Sequence, residues 1–98
     1  MHELSDSEQA ERKLLHALAQ FKDALVLDIG AGDGRFVAHY GAQAAFIHLI
    51  DLDIDDLADA RQLLGDAGVT RYGLHNTTAE RLPFPSEHFD LAVFSWSL

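Results

Sequence analysis

The stretch that decides the fold is Val26-Leu27-Asp28-Ile29-Gly30-Ala31-Gly32-Asp33-Gly34-Arg35-Phe36. It joins an apolar run at 24–29 to a segment, 32–40, that can turn into a helix before Gly41 stops it. A short apolar run ended by glycines reads as a buried strand. Glycines at alternate positions let the backbone turn tightly and approach a ligand without interference from a Cβ. Free amides at the start of the next helix favour an anionic group. The competing reading is a strand–helix turn that holds nothing, but so many glycines weaken a helix start. A dinucleotide-binding loop needs G-x-G-x-x-G, whereas the spacing here is G-x-G-x-G. Arg35 stands where the third glycine would be, and its side chain would disturb the close helix–strand contact which that glycine serves. Asp28 sits poorly beside a pyrophosphate and suits a ligand that carries an ammonium group.

Outward from the loop, strands and helices alternate. Ser5 followed by Glu8 is a capping-box pattern, and Ala10, Leu14, Leu15 and Leu18 recur at helical spacing. They predict an amphipathic helix over about 7–20. A second buried strand spans 45–50. Asp53 or Asp55 can cap the helix that follows, with Leu57, Ala60, Leu63 and Leu64 facing inward. A third strand spans about 71–75, a polar, proline-containing loop 76–88, and a fourth apolar strand 90–95. This alternation implies a parallel α/β sheet of about four strands with right-handed crossovers. The whole chain, 1–98, reads as one domain, with an N-terminal helix in 1–22 and a core over 24–98.

Composition narrows the function. With 98 residues and 48% hydrophobic side chains, the chain is an ordinary globular domain with a modest core. The formal net charge of −9 is repelled by phosphate backbones, which argues against nucleic acid as a partner. Cysteine is absent, so the chain has no disulfide and no thiol nucleophile. No apolar stretch approaches the roughly 20 residues that span a bilayer, and residues 1–7 are too polar for a signal peptide. The expectation is a cytoplasmic protein without a membrane partner.

Asp51 ends the second strand, 21 residues beyond Gly30. An acid there can accept hydrogen bonds from both hydroxyls of a ribose. The acids after it fit no calcium loop, because the sixth and twelfth positions are Asp56 and Gln62 instead of glycine and glutamate. The phosphatase nucleophile motif Asp-x-Asp also fails, since Asp55 stands where threonine or valine is expected. Asp55, Asp56 and Asp59 read as solvated acids near a helix start, favoured by the macrodipole. The six histidines show no metal-binding spacing, and His48 reads as a packed, hydrogen-bonded core residue.

Asp28-Ile29-Gly30-Ala31-Gly32-Asp33-Gly34 resembles motif I of the class I S-adenosylmethionine (SAM)-dependent methyltransferases. Ile50-Asp51-Leu52-Asp53, then Thr78 to Pro85, then Phe89 to Phe94 are similar to the family's next segments, in order. The resemblance covers about 24–98 and implies a Rossmann-like sheet in the order 3-2-1-4, incomplete relative to the family's seven strands. It implies SAM as cofactor. Gly30, Ala31, Gly32 and Gly34 would wrap its methionine and ribose, Asp28 fixing the loop and the methionine amine, and amides near Gly34 meeting the carboxylate. Asp51 would hold the ribose, Leu52 would touch adenine, and Thr78, Ala79 and Glu80 would wall it. Ser95, with Trp96 to Leu98, would begin the methyl-transfer site. The implied acceptor is a small molecule, and the catalytic base is left to later strands and loops. Two other readings stand beside this one: a non-catalytic SAM-binding or interaction module, and a nicotinamide-binding Rossmann domain. The strand at 90–95, apolar on both faces, is expected to be an edge through which the chain self-associates.

Overall fold

Side-chain alternation along four short strands places the core on one side of a parallel sheet. The computed structural model describes residues 6–82, 84, 85 and 88–95. In chain order the elements are α1 (Asp6–Ala19), β1 (Leu25–Ile29), α2 (Arg35–Tyr40), β2 (Phe46–Ile50), α3 (Ile54–Asp66), β3 (Tyr72–His75), a 3-10 turn (Ala79–Arg81) and β4 (Leu91–Phe94). The strand order is β3-β2-β1-β4, as the sequence implied. β1 is central, with Leu27 opposite His48 of β2 and Ala92 of β4.

Val26, Ile47 and Leu49 pack with Val37, Tyr40, Ala60 and Leu64 of α2 and α3. Each valine, leucine and isoleucine side chain among them stabilises the fold by about 1.5–3 kcal/mol. They make this face the main core. The opposite face carries Leu27, Phe46, His48 and Ile50, and Leu82, Phe84 and Phe89 gather beside Leu27 and Ala92. Among the described residues β4 pairs only with β1, and Phe94 is 51% exposed.

Three local expectations need correction. The amphipathic stripe of α1 does not all turn inward: Ala10 and Leu15 are exposed, and Leu18 is half-buried against the core. Phe21, beyond the helix end, provides the anchor by stacking on Tyr40 with centroids 3.9 Å apart. The expected cap Ser5 lies outside the described residues. Second, α2 begins at Arg35, later than expected, because Gly30, Gly32 and Gly34 hold φ of +67°, +58° and +83°. A right-handed helix cannot include such residues. Third, the expected loop at 76–88 contains the 3-10 turn, while its Pro83, Ser86 and Glu87 lie outside the described residues. The cap of α3 is Asp53, whose carboxylate accepts from the amides of Asp55 and Asp56.

Candidate functional site

The glycine loop is stitched down along its length. The amides of Gly30 and Ala31 both donate to the Ile50 carbonyl, at 3.0 and 3.1 Å. Gly32 N–H donates to Asp51 Oδ2 at 2.8 Å, and Gly34 N–H to the Ala31 carbonyl at 3.1 Å. Arg35 N–H donates to Asp33 Oδ1 at 3.2 Å. Of the amides near Gly34 that the resemblance offers to a carboxylate, those of Gly34 and Arg35 already have acceptors. Gly34 lines neither of the clefts described below. A Cβ there would lie 3.1 Å from the Cβ of Ala60, so this glycine serves the contact between α2 and α3. Arg35 disturbs no packing, because its side chain is 85% exposed and pairs with Asp33 at 2.8 Å.

Asp51 is held where β1, β2 and β3 end. Its Oδ1 accepts from Asp53 N–H at 2.8 Å, its amide donates to the His75 carbonyl, and its own carbonyl accepts from Asn76 Nδ2. Each carboxylate oxygen thus takes one protein donor and retains further acceptor capacity. Two adjoining clefts share Asp51 and Gly30 in their walls. The larger, about 620 Å³, is mainly apolar: Ile29, Ile50, Leu52, Thr77, Thr78, Ala79, Glu80 and Phe94 complete it. The smaller, about 510 Å³, is completed by Ala31, Gly32, Asp33, Arg35, Phe36, Asp56 and Ser95. Both volumes fall within the roughly 300–1,000 Å³ usual for small-molecule sites.

Asp28 lies behind the smaller cleft, with no exposed surface. Its Oδ2 accepts from the Tyr40 hydroxyl at 2.7 Å and its Oδ1 from Ser95 Oγ at 2.6 Å. Burial pushes its carboxyl above the usual carboxylate range, and hydrogen bonds from Ser95 and Tyr40 oppose that rise. Both oxygens are engaged away from solvent, so a direct contact with a methionine amine is closed to it. Its part in fixing the site stands, because it ties β1 to α2 and to the end of β4.

The methyltransferase domain model matches residues 26–98. The chain belongs to the methyltransferase domain family. A ubiquinone/menaquinone biosynthesis C-methyltransferase, UbiE, from Psychromonas ingrahamii is 32% identical over 81 residues, covering 79% of this chain and 32% of that one. The corresponding Vibrio vulnificus protein is 32% identical over 78 residues, 74% of this chain and 30% of that one. The chain therefore spans about a third of the length of these curated relatives. Among solved structures, the YcgJ protein from Bacillus subtilis superposes with a TM-score of 0.69 at 27% identity, covering 86% of this chain and 36% of that one. A Streptococcus mutans putative methyltransferase, solved with S-adenosylhomocysteine, shares the fold with a TM-score of 0.64 at 17% identity, over 85% of this chain and 49% of that one.

In this methyltransferase domain the structure gathers Gly30, Asp51, Leu52, Thr78, Ala79 and Glu80 at one cleft and Ala31, Gly32 and Ser95 at the other. It leaves Asp28 and Gly34 behind the walls; Trp96 to Leu98 lie outside the described residues. Sequence reasoning missed Thr77 and Phe94, and it placed Asp56 in solvent although Asp56 lines the smaller cleft. Partial desolvation and the neighbouring carboxylates Asp53, Asp51, Asp33 and Asp59 push the Asp56 carboxyl up. His48 is half-buried, with Nδ1 2.9 Å from Nε2 of His75 and ring contacts to Phe84, His88 and Phe89. Partial burial, then the nearby His75 and His88, lower its pKa. This clasp holds the segment that follows the wall at Thr77 to Glu80. No helix among the described residues is long and apolar enough to cross a membrane.

Proposed function

We propose that this domain binds SAM along the C-terminal ends of its strands and, as the cofactor-binding part of a methyltransferase, presents the methyl group to a small-molecule acceptor. The observation that carries the reading is Asp51, a carboxylate with spare acceptor capacity in the wall between an apolar and an acidic cleft. Adenine fits the larger cleft, against Leu52, Thr78 and Ala79. The ribose hydroxyls fit Asp51, and the methionine end fits the smaller cleft beside Asp33, Asp56 and Ser95. Among the described residues lining the smaller cleft, Arg35 is the only basic one and is the partner for the methionine carboxylate. A pyrophosphate is poorly served there, because the amides of Gly30, Ala31, Gly32, Gly34 and Arg35 already have acceptors and Arg35 faces the carboxylates Asp33, Asp51 and Asp56. This favours SAM over a nicotinamide dinucleotide.

Bound there, SAM supplies a methyl group on a cationic sulfur, which a nucleophile takes by in-line displacement. The chain's own residues bind and orient; holding two reactants in line removes most of the entropic barrier to such a transfer. The quinone-biosynthesis C-methyltransferases among the relatives support a small organic acceptor. The net charge of −9 counts against a nucleic acid. The reading takes 1–98 as one SAM-binding unit working in the cytoplasm. It also takes the β4 edge as a route to self-association, which sedimentation at low micromolar concentration tests. Calorimetric titration tests the cofactor: micromolar binding of S-adenosylhomocysteine with no heat from NAD is expected. NAD binding without S-adenosylhomocysteine binding would overturn the reading.

A further inference from the structure

Behind the smaller cleft lies a buried polar chain to which the cofactor reading gives no task. Tyr40 has no exposed surface; its ring stacks on Phe21 with centroids 3.9 Å apart, and Phe36 packs edge-on beside both rings. Its hydroxyl donates to Asp28 Oδ2 at 2.7 Å. Burial, followed by the charge of Asp28 and the hydrogen bond to it, raises the Tyr40 pKa far above its usual value, so this hydroxyl stays protonated. On the other side of the carboxylate, Ser95 Oγ commits its single proton to Asp28 Oδ1 at 2.6 Å while the residue lines the cleft. A serine hydroxyl has one donor and two acceptor lone pairs. With the proton directed inward, only acceptor capacity remains for the cleft.

We propose that Tyr40 is a positioning residue which, through Asp28, fixes the Ser95 hydroxyl so that its lone pairs meet an ammonium group in the smaller cleft. The inference rests on the cofactor reading above and names the group that Ser95 receives. The opposite polarity would need Asp28 to donate to Ser95, whereas both of its oxygens accept, one from Tyr40 and one from Ser95. Tyr40 donation favours the ionised carboxylate against the desolvation that opposes it. The three residues come from α2, β1 and the end of β4, so the hydroxyl's polarity is set by the fold and not by the ligand.

Two probes separate this polarity from general damage. S-adenosylhomocysteine carries the ammonium; 5′-methylthioadenosine has the same nucleoside without the amino-acid end. Calorimetry on the wild type, Ser95→Ala, Tyr40→Phe and the double variant is the test. Ser95→Ala is expected to weaken S-adenosylhomocysteine roughly tenfold, the scale of one hydrogen bond to a charged group. Methylthioadenosine should change less than about twofold on that reasoning. Tyr40→Phe should weaken only S-adenosylhomocysteine, the double variant should be no worse than Ser95→Ala, and Ser95→Thr should bind as wild type does. Equal losses for both probes, or additive losses in the double variant, would overturn the inference. Should Tyr40→Phe fail to fold, the comparison of Ser95→Ala with Ser95→Thr on the two probes decides alone. A wild type that binds both probes with Ser95→Ala neutral overturns this inference only. A wild type that binds neither overturns the cofactor reading as well.

Discussion

Gly34→Ala is expected to be among the most damaging small substitutions in the glycine loop, for reasons that have nothing to do with a ligand. Two costs add. At φ +83° an alanine sits in the left-handed region, at about 1–2 kcal/mol. Its Cβ would also lie 3.1 Å from Ala60 Cβ and 3.4 Å from Ala60 Cα, so α3 must give way. Overpacking of this kind costs about 1–3 kcal/mol. The sum is about 2–5 kcal/mol, and about 2 kcal/mol alone lowers Tm by roughly 8–16 °C in a domain of this size. Gly32→Ala is the internal control: φ is +58° but no atom lies within 4 Å of the added Cβ, so only the backbone cost of about 1–2 kcal/mol applies. Urea unfolding followed by circular dichroism measures both. Equal losses in the two variants would refute the packing argument.

Further outcomes follow from the same geometry. Asp51→Ala should weaken S-adenosylhomocysteine binding by about 1.5–3 kcal/mol, while exposed Asp55→Ala changes it little; equal calorimetric effects would show the ribose assignment to be wrong. Asp53→Ala removes the cap of α3 and should cost about 1 kcal/mol of stability in urea unfolding. His48 has a lowered folded-state pKa, so the unfolded chain binds the proton more readily. The stability it contributes is present above its unfolded value, near pH 6.5, and falls away as the pH drops toward the folded value. Urea midpoints between pH 7.5 and 5.5 should therefore drop further for the wild type than for His48→Phe.

What the sequence disclosed was what lies close along the chain. The alternate glycines, and Asp51 with Leu52 just past β2, are read from spacing because the turn and the strand end are local. The strand order came from the resemblance and is the order observed. What stayed hidden depends on neighbours distant in sequence. Gly34 could not be assigned to packing without knowing that Ala60 faces it. Asp28 looked like a ligand contact because Tyr40, 12 residues on, and Ser95, 67 residues on, could not be seen to engage both its oxygens. Histidines 48, 75 and 88 have no local spacing that announces a cluster; only the pairing of β2 with β3 and the return of the chain over the sheet unite them. The stripe on α1 misled for the opposite reason, since helical periodicity shows which face is apolar but not whether anything covers it.

On the proposed function one ligand spans both clefts about Asp51. The most direct test of this is the amide nuclear magnetic resonance spectrum of the chain, titrated with S-adenosylhomocysteine. Shifts are expected at Gly30, Gly32, Leu52, Ala79 and Ser95, which line the two clefts. Arg71, bound to the carbonyls of Ala42, Ala44 and Ala45 at the other end of the sheet, should stay where it is. Shifts centred on that end, or none at saturating ligand, would contradict the account.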